Sequence, residues 1–487
     1  FMINIKDMNI KDYSVMPQKI LQFGEGNFLR AFFDFMVQKL NDNNMLGGSV
    51  VMVKPTSSKP RSEFNEQNCR YFVLERGLEN GNIIDRSTPI TSVSRFLSAY
   101  EDAQELLNIA ASPELSVIVS NTTEAGIVYN EGESFDEYPN VSYPAKLCRL
   151  LFARYSSLGR DFSPLILPVE LIENNGSVLK DIVIRYADDW NLSADFISYL
   201  RYDCKFCSTL VDRIVTGFPQ NDAQSVFAKL GCEDKLAVAC EPYISWVIEG
   251  REDWKDIFPA HKIFANVKWV DDISSYRERK VKILNGAHTM SVLAAYLCGY
   301  SIVRDMMHDD DFSYYLNTAI DKEIIPTINM ERAELKNFKN SAFERFCNPF
   351  IDHKLLDISL NSVSKFRARC LGSILQYTDI FGTAPDLLSF AFVALIKFYD
   401  GKFMPNGDFV AKSDYSEYCV RDSEEVLRRF EYAYKTDDPV YEILRNENLW
   451  GADLTCISSL YSKVADCFDN IKKFGVRQSL GKVLYHE

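Results

Sequence analysis

Hydrophobic and polar positions change rhythm once along the chain, near Asp271-Asp272. Upstream, short apolar runs alternate with longer amphipathic stretches. Ile20-Leu21-Gln22-Phe23 leads through Gly24-Glu25-Gly26 into an amphipathic stretch from Ala31 to Leu40, which predicts strand, glycine turn and helix. Ser49 to Val53, Leu115 to Val119, Leu165 to Val169 and Leu236 to Cys240 predict further strands, and 145–155 a helix. Strand-like pieces between Phe72 and Val93 flank Glu79-Asn80-Gly81-Asn82, a hairpin turn, and are expected to extend the sheet. Strands and helices in alternation predict a parallel, doubly wound sheet.

Downstream, apolar positions recur at helical spacing. Arg277 to Tyr300, Glu331 to Phe346, Ser362 to Gln376, Pro385 to Tyr399, Ser423 to Tyr434 and Leu454 to Ile471 all predict helices, and strand signals nearly vanish. The expected class is α/β: a Rossmann-like dinucleotide-binding domain over 1–273, then an all-helical substrate and catalytic domain over 274–487.

Composition narrows the partner. A chain of 487 residues is too long for one core, and 47% hydrophobic with 25% charged residues is the balance of an ordinary folded protein. The net charge of -14 gives no basic footprint for nucleic acid. No cluster of Lys and Arg suggests a lipid surface, and no apolar run reaches the length of a membrane span. A small molecule is therefore the expected partner. The N-terminus lacks a secretory pattern, Phe1 before Met2 reads as an added residue, and twelve cysteines without repeating spacing read as reduced thiols, so the cytoplasm is the expected compartment. Cys204 and Cys207 form a C-x-x-C with no second pair at zinc spacing. His261, His288, His308, His353 and His486 form no metal-ligand pattern, so no metal is expected.

Two stretches carry candidate chemistry. In Phe23-Gly24-Glu25-Gly26-Asn27-Phe28-Leu29-Arg30, Gly24 suits a tight turn, Gly26 lets backbone amides approach a pyrophosphate, and the helix beyond adds its positive dipole. The third glycine of the dinucleotide fingerprint is replaced by Leu29. Lys54 stands at the end of the second strand, where an NAD site usually offers an acid, so either the ribose is held differently or the 2′-phosphate of NADP is tolerated. Ser120-Asn121-Thr122-Thr123-Glu124-Ala125-Gly126 follows another strand, either as part of the cofactor site or as a capped turn.

The second stretch is Arg277 to Thr289, where charge gives way to an apolar helix. At roughly 100° per residue, Lys280, His288 and Asn285 fall at about 0°, 80° and 140°, among Val281 and Leu284. Apolar surroundings are where a lysine serves as a base near neutral pH. A solvated helix start and a core histidine would read the same way, and the glycine turn alone also suits a non-catalytic nucleotide binder or an S-adenosylmethionine transferase.

With these residues in view, the chain resembles the mannitol dehydrogenase family of long-chain polyol dehydrogenases over nearly its whole length. Lys280, Asn285 and His288 match its K-x4-N-x2-H motif, Asp212 and Arg213 its V-D-R, and Glu241 to Glu249 its E-P-[FY]-x-x-W-V-I-E segment. The glycine turn, the 120–126 loop and Asn348-Pro349-Phe350-Ile351-Asp352-His353 are similar to the tagaturonate reductase branch. That resemblance implies NAD(H)-dependent, reversible reduction of tagaturonate to altronate in hexuronate catabolism. It gives Lys280 the role of general acid and base, assisted by Asn285 and His288. Fructuronate or a neutral polyol is the alternative substrate. Asn175, Asp212 and Lys365 are the implied substrate-side residues; Leu171 stands where mannitol enzymes carry an Asn, and Asp357 where they carry an Arg.

Overall fold

In the computed structural model, which describes residues 2–485, six parallel strands form the first sheet: β1 (Gln18–Phe23), β2 (Ser49–Lys54), β3 (Val93–Ser98), β4 (Val117–Ser120), β5 (Leu165–Pro168) and β6 (Lys205–Phe206). Their order is β3-β2-β1-β4-β5-β6, the doubly wound arrangement whose direction reverses between β1 and β4. Phe1, His486 and the side chain of Glu124 lie outside the described residues.

Successive strand residues feed opposite faces. Ile20, Val50, Met52, Val117 and Leu167 face a cluster with Phe32 and Phe33 of the helix α1 (Asn27–Asp42), whereas Leu21, Val51, Ile118 and Ile166 face the helices Tyr143–Leu158 and Asn175–Asp189. A sheet covered on both sides explains why its strands read as continuous apolar runs.

The hairpin at Asn80-Gly81 forms as expected, both residues taking positive φ (53° and 77°), but it does not extend this sheet. Its strand Tyr71–Glu79 pairs instead with Val238–Cys240, which pairs with Val215–Gly217, giving a separate four-stranded sheet. The reason lies in Arg213, fully enclosed, which joins Glu75 of the hairpin (3.0 Å) to the carbonyls of Ala31 and Glu241. The expected strand Leu236 to Cys240 thus belongs to this second layer.

The chain divides into two units, 1–273 and 274–487. The second is mostly helical around two helices buried nearly all round, Gly286–Leu297 and Asp386–Phe398. It is not all-helical: Gly401–Phe403, Phe409–Lys412 and Glu417–Cys419 make a small antiparallel sheet, too short for alternation to show in the sequence. The last helix runs over Leu460–Tyr485 and breaks at Gly475. Three helices carry π turns, at Lys280–Asn285, Ile320–Ile324 and Arg367–Leu371, and the first packs against the other two.

Candidate active site

The first unit offers a cradle at the carboxyl ends of β1 and β4. Gly24 has φ +125°, and a Cβ there would meet the Asn121 carbonyl oxygen at 2.9 Å, so the glycine turn and the 121–124 loop touch through backbone. Gly26 has nothing within 4 Å of a would-be Cβ, and as N-cap of α1 it supplies no side-chain cap. A 16-residue helix therefore begins without a side-chain cap and with open space beside Gly26, and uncapped amides are what a pyrophosphate uses. The donor set and the room fit a dinucleotide.

The other residues expected to hold the cofactor divide by burial. Glu25 and Lys54 meet in an ion pair of 3.0 Å. Asn121 and Thr122 are half-buried and Thr123 is exposed with φ +76°. The Thr122 amide and hydroxyl both donate to Glu170 (2.9 Å each), whose other oxygen accepts from Ser120. Burial pushes the Glu170 carboxyl up, against those hydrogen bonds. Three of the expected side-chain contacts are corrected, while the backbone amides of Leu29 and Arg30 stay in the first turn of α1. Phe23 and Leu29 are core residues under the turn. Arg30 is buried because its guanidinium is spent on the Leu236 and Glu25 carbonyls and on Asn27 Oδ1, beside Tyr71, and burial pulls its pKa down. Asn27 is thereby tied to Arg30, and Phe28 stacks on Phe32 at 4.9 Å.

Asn175 is corrected too. It is 1% exposed; its amide donates to the carbonyls of Pro168, Glu170 and Thr209, and its oxygen accepts from the amides of Thr209 and Gly176. With donors and acceptor all engaged, nothing remains for a substrate. Asp212 is half-buried at the end of the strand Thr209–Asp212, and Leu171 is 66% exposed just beyond β5.

In the second unit the candidate catalytic residues ride on one continuous helical run. Because Lys280–Asn285 is a π turn, with the Gly286 amide reaching back to the Val281 carbonyl, the turn takes one extra residue to close. Asn285 comes back toward the side of Lys280, as an i+4 residue does in an α-helix, and the angle of about 140° expected from α geometry is too wide. Lys280 and Asn285 are half-buried, and the Asn285 amide makes no hydrogen bond to another described residue. Lys282 is a structural lysine: it pairs with Glu278 (2.6 Å) and donates to Thr327 and Gln376.

His288 stacks on Phe346 at 4.1 Å and meets His353 edge-on at 5.4 Å, so the Asn348–His353 motif delivers a second imidazole to it. Its Nε2 is buried with no hydrogen-bond partner among the described residues. Burial, then the nearby His353, Arg345, Arg369 and Lys365, pull the His288 pKa down to about 3. Burial and the neighbouring cations thus favour the neutral ring.

Of those neighbours, Arg345 and Arg369 are the ones the sequence did not single out. Lys365 donates to the Ile358 carbonyl at 2.8 Å. Arg369 is half-buried and donates to Thr289 Oγ1 (3.2 Å), with no carboxylate partner among the described residues; burial lowers its pKa. Its carbonyl lies 3.5 Å from a Cβ built on Gly286, an ordinary contact that brings the two helices together beside Asn285. The signal was its place four residues after Lys365. Among the described residues no group of three or more His, Cys, Asp or Glu is placed to hold a metal ion.

Family models place the chain. Residues 18–256 match the mannitol dehydrogenase Rossmann domain and residues 272–472 the mannitol dehydrogenase C-terminal domain. The chain belongs to the mannitol dehydrogenase family. Among its relatives in that family, altronate oxidoreductase of Halalkalibacterium halodurans is 38% identical over 483 residues, covering 97% of this chain and 94% of that protein. Altronate oxidoreductase of Escherichia coli is 39% identical over 489 residues, covering 98% and 99%. Two solved structures are similar in fold. A substrate-free D-sorbitol dehydrogenase superposes with a TM-score of 0.79 at 22% identity, covering 96% of both chains. Pseudomonas fluorescens mannitol 2-dehydrogenase, solved with NAD and D-mannitol, gives 0.66 at 22% identity, covering 98% of this chain and 96% of that one.

Proposed function

We propose that this family member is an NAD(H)-dependent oxidoreductase acting on CH–OH groups, reducing tagaturonate to altronate reversibly. What carries the reading is the identity of 38–39% with altronate oxidoreductases along nearly the whole chain. The second unit's chemistry supports it independently: a sugar acid brings a carboxylate, and Arg369 is a desolvated guanidinium with no carboxylate of its own among the described residues.

A bound nicotinamide dinucleotide, its pyrophosphate held in the cradle of Gly24, Gly26 and the first turn of α1, would supply the hydride in reduction and take it back in oxidation. Lys280 Nζ donates the proton to the substrate oxygen in reduction and removes it in oxidation. Asn285 donates from its amide to that oxygen as charge develops on it. His288, neutral, offers Nε2 to the same oxygen without adding a second titrating group. Arg369, with Lys365 beside it, takes the carboxylate through charge-assisted hydrogen bonds.

The proposed substrate assigns the reaction to hexuronate catabolism, and the twelve free thiols fit the reducing cytoplasm. The test is loss of reduced-nicotinamide absorbance with tagaturonate, fructuronate and fructose in turn. Consumption with tagaturonate is expected to exceed that with fructuronate or fructose by at least about ten-fold; equal or greater consumption with either competitor overturns the substrate assignment.

A further inference from the structure

A lysine closing the second strand of a dinucleotide fold ordinarily signals a 2′-phosphate. Lys54 does not stand there alone. The carboxyl ends of β1 and β2 are neighbours, Phe23 paired with Val53, and the chain leaves β1 directly into Gly24-Glu25-Gly26. This brings Glu25 Oε1 to 3.0 Å from Lys54 Nζ, with only 18% and 10% of the two side chains exposed. Glu25 Oε2 makes no hydrogen bond to a described residue, so one carboxylate oxygen holds the lysine while the other keeps its accepting capacity.

We propose that Glu25 supplies, from inside the glycine turn, the ribose-recognising carboxylate that the end of β2 lacks, and that the Glu25–Lys54 pair selects NAD(H) over NADP(H). Oε2 accepts from the 2′-hydroxyl of the adenosine ribose. A 2′-phosphate in that position meets the Glu25 anion and finds the Lys54 charge already compensated. Lys54 holds the carboxylate in place and neutralises it, so that an acid at the mouth of the cradle does not repel the pyrophosphate. The inference rests on the cofactor reading above and adds what that reading leaves open, the choice between two dinucleotides.

The test is direct binding to the full chain, read from quenching of tryptophan fluorescence with NADH and with NADPH, for wild type, Glu25→Gln and Lys54→Met. Wild type is expected to bind NADH at least about ten-fold more tightly than NADPH. Glu25→Gln, which keeps an acceptor oxygen and frees the lysine, should shift the NADH-to-NADPH ratio toward NADPH by at least about ten-fold, the size of one charge-assisted hydrogen bond to a phosphate. Lys54→Met leaves the carboxylate unopposed and should move the ratio the other way, which keeps the proposal testable if Glu25→Gln folds poorly. A wild type that binds NADPH as tightly as NADH, or variants that weaken both dinucleotides with the ratio unchanged, overturns it. Binding of neither dinucleotide by wild type would bring down the cofactor reading and this inference together, an outcome distinct from a ratio that fails to move.

Discussion

At the scale of single residues, the proposed mechanism separates groups that do chemistry from groups that hold a carboxylate. If Lys280 is the proton donor, Lys280→Ala should lower kcat by about 10²–10⁴-fold. The NADH dissociation constant, set in the other unit, should stay within about two-fold; equal losses in both would remove Lys280 from its role. Arg369→Met should act on binding, lowering kcat/KM for a sugar acid by roughly 10–100-fold through KM, the scale of a hydrogen bond to a charged group. A neutral ketose should be handled by wild type and variant alike, and a thermal melt reports any structural effect of removing the hydrogen bond to Thr289. A matching loss with the neutral ketose would assign Arg369 to the fold. Spacing brought Lys280, Asn285 and His288 forward only as candidates on one helix, and the K-x4-N-x2-H resemblance gave them their roles. Arg345 and His353 come from elsewhere in the sequence and meet His288 only through folding. Asn175 misled for the opposite reason: an Asn beside a Gly at a strand end looks like a ligand contact, and only its five hydrogen bonds, to four residues, reveal it as a pin.

At the scale of elements, the strand, turn and helix around Gly24 and Gly26 put two different demands on two glycines. At Gly24 the backbone is in a conformation that side chains rarely adopt and the Asn121 carbonyl is too close for a Cβ. Gly24→Ala should therefore cost about 1–3 kcal/mol of stability, read from a denaturant midpoint. At Gly26 nothing obstructs a side chain, so Gly26→Val should fold with an unchanged midpoint yet weaken NADH binding by at least about ten-fold, because the added atoms fill the pyrophosphate space. A variant that loses stability and keeps binding would contradict the cradle. This element was legible because its signal is local. The destination of the hairpin was not, since Tyr71–Glu79 finds its partner in Val238–Cys240 through the enclosed Arg213, about 160 residues away. The π turn at Lys280–Asn285 was equally hidden: its residues read as ordinary helix, and the extra residue shows only in the hydrogen bond from Gly286 to Val281.

At the scale of the whole molecule, stability against pH is a contest between buried groups distributed over the two units. In the first unit burial pushes Asp34 up to about 7, against hydrogen bonds from Tyr71 and Gln22. In the second, burial pushes Glu323 up to about 7, against the amides of Leu387 and Leu388, and pulls His288 down to about 3. For the two acids the folded chain binds the proton more tightly than the unfolded chain, so each contributes stability that is complete at low pH and is lost as pH rises from about 4 to 7. For His288 the unfolded chain binds the proton more tightly; its contribution is complete above about 6.5 and is lost as pH falls toward 3. The slopes oppose one another below pH 6.5, so the wild-type profile alone is uninformative and the variants carry the test. Going from pH 8 to pH 5, Asp34→Asn and Glu323→Gln should each gain less in urea midpoint than wild type, and His288→Gln should gain more. If the units unfold in separate steps, Asp34→Asn changes the pH slope of one step while Glu323→Gln and His288→Gln change that of the other. Four parallel profiles would mean that none of these groups keeps, in the folded chain, the protonation its burial imposes.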